Sequence, residues 1–229
     1  MIQDAIVKIR ERICKACSRI KQDPESITIV AVSKGRPLGQ IEEVIAAGIT
    51  DIGENRVREA LIKYNSILHT PYSILPKWHM VGHLQTNKVK DAVRIFDLIQ
   101  SVDSLHVSLK IDEQAKKLNK IQDILVQIKS SFEATKSGLK PDEAIKTIEE
   151  IAKLKNINIR GLMAIAPIMD NPEKTRPYFR ILRELKDRIN ELRVTSYELR
   201  VLSMGMTDDF EVAIEEGSNM VRIGRAIFE

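Results

Sequence analysis

The chain has 229 residues, 43% hydrophobic and 30% charged, with 10 Gly, 8 Pro and a formal net charge of +4. These proportions exclude collagen-like, low-complexity and disordered chains, and a chain of this length buries enough surface to fold without a disulfide or metal staple. Basic residues are interspersed with acidic ones, as in "RILRELKDRINELR" (180–193), a solvated helical face that points away from a nucleic-acid partner.

The N-terminus is charged throughout and lacks an apolar leader, and no segment approaches the ~20 apolar residues of a membrane span, so the expected location is the cytoplasm. The stretch "IVKIRERICKACSRI" (6–20) has the period of a helix. Its Cys14 and Cys17 have no second Cys pair to complete a zinc site, and they read as small apolar residues near a helix end. Eight short runs rich in Val and Ile then follow, at 27–33, 49–53, 78–82, 96–102, 123–129, 158–164, 198–205 and 219–224. Helical patterns separate them: one ends on Gly48, one opens after Asp103, and one opens at Pro141. Strands alternating with helices eight times predict a single (β/α)8 barrel over residues 1–229, with all strands parallel. "GRAIFE" (224–229) leaves no room for a full eighth helix, and the extra N-terminal helix is expected to fill that gap.

In such barrels the site lies at the C-terminal ends of the strands. Lys34 follows the first strand in "VAVSKGRP", either as a solvated end-cap or as a partly desolvated amine able to form a Schiff base with a carbonyl. Asn55 follows the second, either as a donor to a ligand or as a helix N-cap. The third gives His79 within it and His83 just beyond it, both read as packing residues, one of them lining the cavity. The loops after strands seven and eight carry Ser203, Gly205 and Thr207, and Gly224 before a short helical turn, which together suit a phosphate. Arg222 lies inside the last strand and needs an acceptor, a carboxylate or a cofactor ring nitrogen. A Schiff-base lysine, a phosphate cup and a buried arginine together describe pyridoxal 5'-phosphate (PLP).

At these residues the sequence also resembles the pyridoxal phosphate homeostasis proteins, whose barrel is similar to the N-terminal domain of alanine racemase. The resemblance runs through "VAVSKGRP", "IGENRVREA", "KWHMVGHLQTNKVK", "IQSVDS", "FEATKSGL", "GLMAIAP" and "LSMGMTDDFEVAIEEGSNMVRIGRAIF". It implies that Lys34 is the cofactor lysine, that Ser203, Met204 and Gly224 surround the phosphate, that Arg222 faces the ring nitrogen, and that Asn55 lies near the cofactor. Three positions depart from the family pattern: Gly35 replaces a Thr, Lys129 an Asn, and Arg225 a small hydroxyl residue. Arg225 can replace a lost phosphate hydrogen bond with a charge-assisted one. Lys136 matches a second family lysine and reads equally as a surface lysine.

The expected function is a PLP carrier in vitamin B6 homeostasis, making transient contact with apo-enzymes and acting as a monomer rather than as a catalyst. The alternative is a free-standing PLP-dependent racemase or decarboxylase. An arginine at the ring nitrogen weakens the cofactor as an electron sink, and the chain ends at Glu229 without the partner domain that supplies a second acid/base in the racemases.

Overall fold

The computed structural model describes residues 1–68, 75–129 and 137–229. A helix, α1 (Ile2–Ile20), precedes β1 (Thr28–Val32), α2 (Leu38–Ala46), β2 (Asp51–Glu54), α3 (Val57–Leu68), β3 (Lys77–Met80), α4 (Val89–Ile95) and β4 (Leu98–Val102). Then come α5 (Leu105–Lys117), β5 (Gln122–Gln127), α6 (Pro141–Ala152), β6 (Ile157–Met163), α7 (Arg176–Glu191), β7 (Val201–Ser203), α8 (Phe210–Glu215), β8 (Met220–Ile223) and α9 (Arg225–Phe228). The eight strands form a closed parallel barrel in chain order, and β8 returns to β1 with Val30 opposite Arg222.

Two apolar layers follow from the two-residue period of the strands. Val30, Leu98, Leu125, Met163 and Met220 pack together inside the barrel. Ile29, Ala31, Ile52, Ile124 and Val221 face the other way, into the shell between barrel and helices. On β1 this parity puts Val30 and, two steps further on, Val32 on the inner side, and the strand ends there, two residues before Lys34.

The expected N-terminal helix does fill the gap. Ile2, Ile6, Ile9 and Ile13 of α1 are buried, and the helix lies against α2, α8 and the four-residue α9. Arg12 fastens it, with bonds of 2.7 and 3.0 Å to Glu211 and its guanidinium 4.4 Å above the Phe210 ring. Both cysteines lie in the C-terminal part of this helix, as expected; Cys17 is buried and burial pushes its thiol up, whereas Cys14 is exposed.

Two local expectations are corrected. Ser104, not Asp103, caps α5, its hydroxyl accepting from Val107 N at 3.3 Å, while Asp103 pairs with His83. The seventh strand starts at Val201 rather than 198, because the Asn190 side chain takes both main-chain groups of Leu199. Gly48 ends its helix in the left-handed region, at φ 84°, as expected. Among the described residues no helix is long and apolar enough to cross a membrane, and no group of His, Cys, Asp and Glu has the arrangement of a metal site.

Candidate functional site

Lys34 sits in a tight turn at the end of β1. Arg36 N donates to Ser33 O at 3.0 Å, and Gly35 has φ 69°, the position where such a turn favours glycine. The turn is gripped from behind by α3: Lys63 Nζ donates to Ser33 O at 2.7 Å, to Glu54 Oε1 at 2.6 Å and to Glu59 Oε1 at 3.0 Å. Glu59 in turn accepts from Gly35 N at 2.5 Å, and Ser33 Oγ donates to Glu54 Oε1 at 2.6 Å. Both peptide units beside Lys34 are therefore held, while its side chain is exposed, as in the solvated of the two readings of this lysine.

The electrostatics of this clamp are unequal. Burial pushes the Glu54 carboxyl up, more than its bonds to Lys63 and Ser33 bring it down. Burial also acts on Glu59, but Lys63 and the Gly35 N–H hold that carboxyl below the usual carboxylate range.

Inside the barrel Arg222 is buried, its Nη1 donating to Ser203 Oγ at 2.7 Å and its Nη2 to Ala164 O at 2.8 Å. Burial pushes its guanidinium down to about 10, with Asp209 acting in the opposite sense. Ser203 thus points into the barrel. Its neighbour Met204 is buried in the outer layer, and its N–H donates to Met220 O at 3.2 Å, so its side chain lines no part of the mouth.

The loops after β7 and β8 are bonded to each other. Asp208 accepts from Arg225, and Thr207 Oγ1 accepts from Ala226 N at 3.4 Å. Arg225, expected near a phosphate, is therefore exposed and paired with a carboxylate. Gly205 has φ 90°, and a Cβ there would come within 2.6 Å of the Ala213 Cβ. Arg36 ties α9 to the Lys34 turn through Glu229 at 2.5 Å and by lying 5.6 Å from the Phe228 ring centre.

Asn55 does not cap α3: its Oδ1 is buried with no hydrogen-bond partner among the described residues. Gly82 packs directly on this residue, and any Cβ there would collide with the Asn55 main chain. Further round the mouth, a cleft of about 250 Å³ is lined by Val81, His83, Gln127, Lys129 and Ile165, with His83 paired to Asp103 at 3.2 Å. Of the two histidines, His83 is the one at the cavity and His79 the buried one. Lys136 lies outside the described residues.

A closed barrel with a lysine turn after β1, an arginine inside β8 and glycine-bearing loops after β7 and β8 is of the alanine racemase type. The family described as "Alanine racemase, N-terminal domain" matches residues 8–229. The pyridoxal phosphate homeostasis protein of Aquifex aeolicus is 40% identical over 225 residues, covering 98% of this chain and 96% of the relative. The structure of PipY from Synechococcus elongatus with PLP bound aligns at a TM-score of 0.86 and 31% identity, covering 100% of each chain. Alanine racemase from Clostridium difficile shares the fold, with a TM-score of 0.74 at 19% identity over 96% of this chain and 58% of that one. The chain belongs to the alanine racemase N-terminal domain family and, within it, to the pyridoxal phosphate homeostasis proteins.

Proposed function

We propose that this protein holds PLP reversibly on Lys34 and supplies or buffers it for apo-enzymes in the cytoplasm, without substantial catalysis of its own. Lys34 binds the aldehyde carbon, Arg222 faces the ring nitrogen, and the loops carrying Ser203–Gly205 and Gly224–Arg225 take the phosphate, with Asn55 near the ring. PLP supplies an aldehyde that a primary amine captures reversibly.

The residues present suit that ligand. Asn55 Oδ1 is a buried acceptor without a partner among the described residues, as expected of a group that meets a ligand. Gly205 and Gly224 carry no side chain at the two loops where a phosphate approaches main chain. In relation to these, Lys34 lies in the turn that follows β1, the strand whose Val30 pairs with Arg222, and has an exposed side chain.

The observation that carries the reading is Arg222. Buried, anchored on both terminal nitrogens and still cationic at neutral pH, it offers only N–H donors, and a donor at the ring nitrogen keeps that nitrogen unprotonated. That favours holding over electron-withdrawing catalysis. The exposure of Lys34 favours exchange, since the described residues leave its side chain open to water.

The test is hand-off. Loaded protein, freed of unbound PLP, is mixed with an apo PLP-dependent enzyme, and recovery of that enzyme's activity is followed beside loss of the carrier's visible absorbance. The two are expected to rise and fall together. Racemisation or decarboxylation of common amino acids by the loaded protein itself, at an ordinary enzyme rate of about 1–10³ s⁻¹, would contradict the carrier reading.

A further inference from the structure

Four side chains from four strands link Arg222 to the far end of the barrel. Ser203 Oγ, which accepts from Arg222, lies 2.6 Å from Gln100 Oε1. Gln100 Nε2 lies 2.9 Å from His79 Nδ1, and His79 Nε2 lies 2.9 Å from Asp51 Oδ1. His79, Gln100, Ser203 and Arg222 are all buried, whereas Asp51, at the first residue of β2, retains 20% side-chain exposure. The row thus starts at the end of the barrel opposite the mouth and finishes beneath it.

With a guanidinium at one end and a carboxylate at the other, one set of directions runs through the row without conflict. A guanidinium has donors only and an ionised carboxylate has acceptors only. Arg222 therefore donates to Ser203 Oγ, whose own proton is left to donate to Gln100 Oε1. That orients the Gln100 amide with its nitrogen towards His79, where it can only donate, so Nδ1 carries the lone pair. The remaining ring proton then sits on Nε2 and is donated to Asp51. The second amide proton of Gln100 agrees, since it faces Met220 Sδ at 3.3 Å, a thioether sulfur that accepts and cannot donate. No bond in the row opposes its neighbours, and aligned bonds in a low-dielectric interior polarise one another.

We propose that Asp51, His79, Gln100 and Ser203 act as positioning residues for Arg222, forming one directed hydrogen-bond chain in which His79 is neutral and protonated on Nε2. No carboxylate hydrogen-bonds the buried guanidinium among the described residues, and the chain supplies aligned dipoles that end on one. The guanidinium plane is thereby set before any ligand arrives. This rests on the reading of Arg222 as the group that faces the PLP ring nitrogen.

Nitrogen-15 NMR of the imidazoles in the unloaded full chain tests the direction, with His79→Gln assigning the signal among 4 histidines. The expected signature is a proton on Nε2 and a bare Nδ1 at neutral pH. An Nδ1–H tautomer or an imidazolium would overturn the chain, whatever the protein binds. PLP titrations of the wild type and Gln100→Leu then test the positioning. The variant is expected to keep a visible PLP band, shifted in wavelength, with affinity weakened roughly 10- to 100-fold. Unchanged affinity and an unchanged band would also overturn the proposal. Gln100→Glu is the second variant should Leu prevent folding; it cannot donate to a neutral His79 and is expected to move the imidazole signature. Absence of any PLP band in the wild type would sink the functional reading alone, because the tautomer result stands without cofactor.

Discussion

Behind β1, the polar cluster of Lys63, Glu54 and Glu59 holds Lys34 by its neighbours' main-chain groups, Ser33 O and Gly35 N, and leaves its side chain in solvent. Inside the barrel, Ser203 and Ala164 hold Arg222 by the side chain itself, and almost none of it reaches solvent. The same protein thus fixes the base of one cation and the tip of the other. A lysine with a fixed base and a free tip can reach a carbonyl, let it go and reach it again. An arginine with a fixed tip offers a support that need not be reordered at each binding event. Reversible capture asks for that division of labour, and each half of it can be broken separately.

The largest effect is expected behind β1. Lys63→Met leaves the buried Glu54 carboxyl without its cation, a loss of about 3–5 kcal/mol that urea unfolding measures. The double variant Glu54→Leu/Lys63→Met replaces the pair with apolar groups and is expected to recover most of that stability. Its PLP affinity is expected to stay low, because the grip on Ser33 O is still missing; recovery of both would show that the clamp serves folding alone.

On the other side of the comparison, Ser203→Ala removes a hydrogen bond from a buried cation and is expected to weaken PLP binding by about 1.5–3 kcal/mol, read by titration. Ser203→Thr, which keeps the hydroxyl, separates loss of that bond from a change of packing.

Part of this division was open to sequence reasoning and part was not. Lys34, Asn55, Arg222 and Gly224 stand at or near strand ends, so the barrel rule alone collected them. The clamp left a trace that went unread: Lys63 sits on the buried stripe Val57, Ala60, Ile67 of α3, where an apolar residue belongs. Gln100 was harder, because the β4–β5 register shifts between Ile99 and Val102, and the two-residue period no longer tells which way a side chain points. Its partner Ser203 is 103 residues away, beyond any local pattern. The resemblance sets Met204 at the phosphate and Arg225 stands there as a departure from the family pattern; only three-dimensional packing turns the first into the outer layer and gives the second to Asp208.

Smaller effects follow from charge. Glu54 has a raised carboxyl, so folding favours its protonated form, and its contribution is present below its ordinary value of 4.5 and lost as pH rises through the raised one. Glu59 lies below its ordinary value, so its contribution is present above 4.5 and lost on acidification. Glu54→Gln removes the first slope only. Its stability relative to wild type, from urea unfolding at successive pH values, is expected to improve as pH rises above 4.5. Arg12→Ala, at a part-exposed pair outside both hydrogen-bond clusters, is expected to cost about 1 kcal/mol and to change PLP binding less than either cluster's variants.

The capture of PLP by a free-tipped Lys34 is tested most directly by borohydride reduction of the protein mixed with PLP, followed by peptide mapping. The account predicts one dominant reduced adduct, on Lys34, at low molar excess of PLP. An adduct on Lys63, Lys129 or Lys136 with Lys34 unmodified, or no adduct at all, would contradict it.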